Sequence, residues 1–161
     1  MPRLRLPRFV RELLQLVLLV TVVLTGRATL ADQYIVPSGS MEPTVQVGDH
    51  VLVSKIAYGL RVPLTERYLA RFAPPVRGDV VVLVSPEDGR VLLKRVAAVP
   101  GDHVTLGGRE VVVPPDRYLV LGDNRDHSHD GRAFGLVEGR AILGHVKRVF
   151  WRDGAPTWRG L

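Results

Sequence analysis

Ser38 and Ser40 stand on either side of Gly39, and Pro37 and Pro43 bracket Ser40 at three residues on each side. Proline fixes φ and removes a donor, and glycine allows conformations that other residues avoid. Residues 36 to 49 therefore read as a rigid, irregular turn able to hold a hydroxyl in one exposed orientation. An ordinary surface turn would have the same composition. A serine hydroxyl attacks a carbonyl only when a base takes its proton. Lys55, Lys94 and Lys147 are the only lysines, and arginine, which stays protonated, supplies the rest of the strongly basic side chains. Lys94 lies in an apolar run with strand periodicity, sharing a face with Leu92 and Val96 while Arg95 points the other way beside Leu93. An ammonium set among apolar groups loses hydration, and its pKa falls from about 10.4 toward neutrality. A neutral amine is a competent general base. A lysine snorkelling past its neighbours at a strand edge fits the same pattern, and Lys55 and Lys147 are also apolar-flanked.

A second cluster runs from Gly122 through Asp123, Asn124, Arg125, Asp126, His127, Ser128, His129, Asp130 and Gly131 to Arg132. Its start echoes a calcium loop, but position twelve is Val137 and no flanking helices are evident, so that reading fails. His127 and His129 could face a zinc ion beside Asp126. His129 with Asp126 or Asp130 could equally complete a serine triad. A self-bonded loop, with aspartates capping amides and pairing with Arg125 and Arg132, accounts for the same residues without either. His50, His103 and His145 lie in or beside expected strands. The absence of cysteine excludes disulfides, thiolate metal sites and a cysteine nucleophile.

These residues must be positioned by the rest of a 161-residue chain of net charge +6. Its basic residues are dispersed apart from Arg3, Arg5, Arg8 and Arg11, with no aromatic-interleaved patch of the kind that binds nucleic acid. An apolar run then covers residues 13–30 and would span about 27 Å as a helix, enough to cross a bilayer if Arg27 snorkels. It is apolar around its whole circumference, unlike a soluble amphipathic helix. Thr29-Leu30-Ala31 also suits a cleaved signal peptide, and both readings stay open. The basic start places residues 1–12 in the cytoplasm and everything beyond on the outer face of the cell membrane. The exported part, 31–161, reads as short strands at 51–53, 80–84, 90–96, 104–106, 110–113 and 118–121, with a last strand near 141–149. Turn signals separate these runs, which describes an all-β domain. Residues 60–76 read as a loop with at most a short helix, and Gly122 to Gly135 as a glycine-rich loop.

Four stretches in order resemble the sequence boxes of type I signal peptidases, also called leader peptidases. They are Pro37-Ser38-Gly39-Ser40-Met41-Glu42-Pro43-Thr44 with Gly48-Asp49; Arg77-Gly78-Asp79-Val80-Val81; Lys94-Arg95-Val96 to Pro100-Gly101-Asp102; and Gly122-Asp123-Asn124-Arg125-Asp126 with Ser128, Asp130 and Arg132. The resemblance implies a mainly β fold: a single N-terminal transmembrane helix followed by one compact Ser-Lys peptidase domain without a large inserted cap. It implies a serine endopeptidase that removes signal peptides from exported preproteins. Ser40 would be the nucleophile, Lys94 its base, Ser38 an oxyanion donor beside the Ser40 N–H, and Ser128 the group orienting the Lys94 amine. Asp130 and Arg132 would brace the loop, and Val36, Met41 and Leu93 would line shallow pockets. Those pockets would suit small residues at the first and third positions before the cut. The implied partners are such preproteins and the lipid bilayer, with no nucleic acid, cofactor or metal. Gly131 stands where the family commonly has serine, His127 where it commonly has asparagine, and Ala97-Ala98 replaces a pair usually ending in glycine. Few residues separate Lys94 from Gly122, so this resembles a minimal single-anchor bacterial form. A self-cleaving repressor-type protease and an inactive tethered binding module are the rival readings.

Overall fold

The computed structural model describes residues 7–61 and 68–161, with the side chains of 22–30, Arg61 and Tyr68 outside that description. Helix α1 runs Arg8–Leu30 and passes directly into strand β1, Ala31–Ile35. The described part of α1 carries Leu13, Leu14, Leu16, Val17, Leu18, Leu19 and Val20, all exposed. The expected anchor over 13–30 thus falls on helical backbone, with its second half outside the described side chains. Among the described residues no helix is long and apolar enough to cross a membrane. Of the expected basic tail of 1–12, residues 1–6 lie outside the described residues, and Arg8 and Arg11 are exposed at the start of α1.

Beyond α1 the chain is mainly β. After β1 come strands β2 (His50–Ser54), β3 (Gly59–Arg61), β4 (Tyr68–Arg71), β5 (Val80–Val84), β6 (Val91–Ala98), β7 (His103–Leu106), β8 (Arg109–Val112), β9 (Arg117–Leu121), β10 (Val137–Glu138), β11 (Ile142–Arg152) and β12 (Ala155–Gly160). Seven of the strands lie side by side in one curled sheet, β1-β2-β11-β5-β6-β9-β10, with β12 added along β11. All pairings within it are antiparallel. The hairpins β3–β4 and β7–β8 stand apart from that sheet. The 60–76 stretch departs from expectation. It forms the two strands of a hairpin around residues 62–67, which lie outside the described residues, and no helix occurs in its described part.

Strand β5 shows why the sheet holds together. Its run of β-branched residues packs apolar groups on both faces. Val80 and Val82 join Val36, Met41, Val45, Val51, Val53, Val146 and Val149 on one side. Val81 and Leu83 join Tyr58, Val96, Tyr118, Val120, Val137 and Ile142 on the other. The serine turn is thereby seated on the first layer through Val36, Met41 and Val45. Strand β6 lies between β5 and β9, so Lys94 projects from an interior strand and not from a sheet edge.

Leu83→Ala removes a fully buried side chain from the second layer. It is expected to lower unfolding stability by about 2–5 kcal/mol in urea denaturation.

Candidate active site

The serine turn is a short 3-10 helix, Gly39–Met41, entered through Ser38 in extended conformation. Chain folding beyond it is closed by backbone hydrogen bonds: Val45 N to Met41 O at 2.9 Å, Gly48 N to Val36 O at 2.8 Å and Val36 N to Asp49 O at 2.9 Å. The Asp49 carboxylate, 1% exposed, accepts from Gln46 N at 2.8 Å and from the Arg152 guanidinium. Ser40 is held at 8% exposure. Ser38 is exposed, and its side chain makes no capping hydrogen bond.

Lys94 arrives from β6, 54 residues further along the chain. Its Nζ donates to Ser40 Oγ at 2.8 Å and to Leu93 O at 3.1 Å. The lysine is 3% exposed, so its amine is buried in the site and does not snorkel out to bulk solvent. Burial pushes its pKa below the ordinary lysine range, and the negative charge of Asp130 opposes that shift. The arrangement is a partly dehydrated amine in contact with a hydroxyl on a rigid turn. Such a pair can take a proton from the hydroxyl as it attacks a carbonyl.

The 122–135 stretch supplies the walls. It contains a 3-10 turn, Arg125–His127, and the short helix α2, Gly131–Phe134, in place of a featureless loop. Asp130, 0% exposed, accepts from Gly122 N at 2.9 Å, Arg132 N at 3.2 Å, and Arg132 Nε and a terminal guanidinium nitrogen at 2.9 and 3.0 Å. Burial would raise the Asp130 pKa, but the Arg132 hydrogen bonds and the Gly122 and Arg132 amides outweigh it, and the value falls to about 2. Asn124 reaches back to the serine turn: its backbone N–H donates to Ser40 O at 3.1 Å and its side-chain amide to Gly39 O at 3.1 Å. Arg95 pairs with Asp123 at 2.7–2.8 Å and also donates to Gly78 O at 2.7 Å, which joins the second, third and fourth boxes.

Gly122 marks the closest approach. A Cβ there would come within 2.2 Å of Ser128 Oγ and 2.5 Å of Ser40 O, so Ser128 is brought beside the serine turn. Its hydroxyl is buried and has no hydrogen-bond partner among the described residues. It faces the Asp130 carboxylate, which its dipole helps keep ionised, without reaching hydrogen-bond geometry. No hydrogen bond joins it to Lys94, the contact expected of it.

Val36 and Leu93 line a cleft of about 210 Å³ together with Tyr34, Ile35, Pro37 and Val91. Met41 does not. It is fully buried beneath the turn, packed in the first core layer, because the 3-10 turn directs it at the sheet. The histidine alternatives are not assembled. His129 Nε2 lies 2.6 Å from Glu87 on the β5–β6 hairpin, and Asp130 is taken up by Arg132 and Gly122. His103 pairs with Glu110, and His145 lies near Asp79. Among the described residues no group of three His, Asp or Glu side chains is placed to hold a metal ion. Asn124 and Asp49 sit inside the quoted motifs, but spacing alone assigns them no partner. Arg152 lies outside all of them.

The family model described as signal peptidase, peptidase S26 matches residues 9–113 and 105–151. The chain is 30% identical over 197 residues to Signal peptidase I of Pseudomonas aeruginosa, spanning 82% of this chain and 69% of that one. It is 32% identical over 192 residues to Signal peptidase I of Pseudomonas fluorescens, covering 80% and 68%. With Signal peptidase I of Leptolyngbya laminosa it shares 32% over 163 residues, covering 82% and 74%.

The Asp130 loop generates two expected outcomes. A Cβ at Gly131 would come within 2.6 Å of Leu119 Cδ1 and 2.8 Å of Val120 O. Gly131→Ser is therefore expected to lower stability by about 1–3 kcal/mol, read as a lower Tm. Asp130 has a folded pKa near 2 against an ordinary 3.8. Because the folded value is the depressed one, its contribution of about 2 kcal/mol is present above pH ~4 and lost as pH falls toward ~2. Urea titrations over that range should show this slope in the wild type and lose much of it in Asp130→Asn.

Proposed function

The chain belongs to the signal peptidase, peptidase S26 family and is a serine endopeptidase, and from that premise we propose that it removes signal peptides from exported preproteins through a Ser40–Lys94 dyad while anchored in a membrane by α1. The observation that carries the proposal is the 2.8 Å contact between Lys94 Nζ and Ser40 Oγ, with both side chains buried. When the amine is neutral the same contact runs in reverse, and the serine O–H donates to nitrogen. Ser40 Oγ attacks the scissile carbonyl carbon and its proton passes to Lys94 Nζ. The oxyanion is held by the Ser40 N–H and the Ser38 hydroxyl, donors on a turn that needs no reorganisation. The C–N bond breaks as Lys94 returns the proton to the departing amine, leaving an ester on Ser40. Water, deprotonated by the same amine, then attacks the ester; signal peptide leaves with a free carboxylate and the proton returns to Ser40.

In this reading Ser128, whose buried hydroxyl has no hydrogen-bond partner among the described residues, orients the amine once Lys94 shifts in the cycle, since an unmet buried hydroxyl gains by acquiring one. Asp130 and Arg132 keep that loop closed. The cleft bearing Val36 and Leu93 accepts the small residues before the cut. The exposed apolar side chains of α1 support burial in lipid, since such a surface in water needs a cover. Ser40 follows Ala31 by nine residues, which keeps the site near the bilayer where a signal peptide's cleavage point emerges.

Full-length protein incubated with a preprotein carrying small residues at the first and third positions before the cut should cleave it. Ser40→Ala and Lys94→Ala are each expected to lower kcat by about 10²–10⁴ or more, while His129→Ala retains activity. Full activity in either dyad variant would refute the dyad, and an inert wild type would favour a tethered binding module.

A further inference from the structure

The loop that closes the serine turn, residues 41–49, is tied to the sheet by a residue more than a hundred positions away. Arg152 Nε donates to Asp49 Oδ1 at 2.7 Å, and one terminal nitrogen donates to Asp49 Oδ2 and, at 3.5 Å, to Thr44 O. Asp49 is buried, and burial would raise its pKa; the Arg152 hydrogen bonds and the Gln46 amide instead hold it below the usual carboxylate range. A buried carboxylate left without that partner would be strongly unfavourable, so the pair is obligatory for this loop geometry. Arg132 and Arg95 perform the equivalent task for Asp130 and Asp123 elsewhere in the site.

Strand alternation by itself would turn Arg152 away. Val149 faces the core layer beneath the serine turn, and three positions on an unbroken strand falls on the opposite face. Strand β11 has a register shift between Val149 and Trp151 in its pairing with both β2 and β12. The extra residue reverses the alternation, leaving Trp151 outward and bringing Arg152 to the Asp49 side. A two-residue turn then fixes the strand end: Arg152 pairs with Ala155 across Asp153 (φ 50°) and Gly154 (φ 75°), both in the conformation that a tight type I′ hairpin requires.

We propose that Arg152 is a positioning residue for peptide-bond cleavage, acting through Asp49 and the Thr44 carbonyl to fix the loop that presents Ser40. The proposal rests on Ser40 being the nucleophile for its kinetic consequence but not for its structural one. Arg152→Gln and the charge-retaining Arg152→Lys, in the full chain, separate the two. Amide hydrogen exchange in Arg152→Gln should quicken at least tenfold at Val36, Val45 and Gly48, with β5 and β6 amides unchanged. Preprotein cleavage should lose about tenfold or more in kcat with KM within twofold, because sub-ångström displacement of a nucleophile acts on the chemical step. Arg152→Lys should recover part of that loss, and Asp49→Asn combined with Arg152→Gln should be little worse than Arg152→Gln alone. Unchanged exchange over residues 36–49, or faster exchange with wild-type kcat, would overturn the proposal. An inert wild-type enzyme would instead refute the dyad reading, leaving the exchange result to decide the anchoring.

Discussion

The structure depends on burying a lysine amine away from bulk solvent and against a serine hydroxyl. Lys94 projects from an interior strand into a buried site, and its Nζ meets Ser40 Oγ at 2.8 Å. Dehydration favours the neutral amine, the form that can accept a proton. The buried Asp130 carboxylate opposes it, because a nearby negative charge favours the ammonium. Burial is the larger effect, and the amine's pKa is lowered. Arg132 takes up most of the Asp130 lone pairs, which limits how much of that charge the lysine feels.

Around this contact three arginine–carboxylate pairs repeat one device. Arg132 holds Asp130 behind the lysine, Arg95 holds Asp123 beside it, and Arg152 holds Asp49 under the serine turn. In each, the carboxylate is the more buried partner and also caps backbone amides or adjoins a tight backbone approach. A planar guanidinium can bind both oxygens at once, fixing orientation as well as neutralising charge. Such braces suit arginine, whose charge is permanent, better than lysine, whose charge burial can remove. Asn124 adds a neutral tie, reaching the serine turn through both its backbone and its side chain.

Much of this was legible from sequence where the physics is local. The run at 80–84 reads as a buried strand from β-branching alone, and Lys94 lies in the strand that periodicity assigns to it. The motif order identified the residues that tertiary folding then gathers. Long-range features were not legible. Met41 looks like a pocket residue by position, but a 3-10 turn buries it. Gly131 looks like a weakened motif, yet Leu119 and the Val120 carbonyl leave room only for glycine. Strands β1 and β12 were not read from the sequence, although each pairs with its neighbour along the chain, β2 and β11 respectively. Asp153-Gly154 is, however, a recognisable two-residue hairpin signal that points to β12. Arg152 could not have been found, because a bulge reverses the alternation on which strand reading depends.

The central claim is that Lys94 is a base because it is dehydrated. With only three lysines in the chain, its amine can be followed by NMR titration of isotopically labelled lysine, assigned by Lys55→Arg and Lys147→Arg. The account predicts a Lys94 midpoint clearly below the ordinary value of about 10.4, moving further down in Asp130→Asn as the opposing carboxylate is lost. A Lys94 midpoint at or above the ordinary lysine value would contradict it.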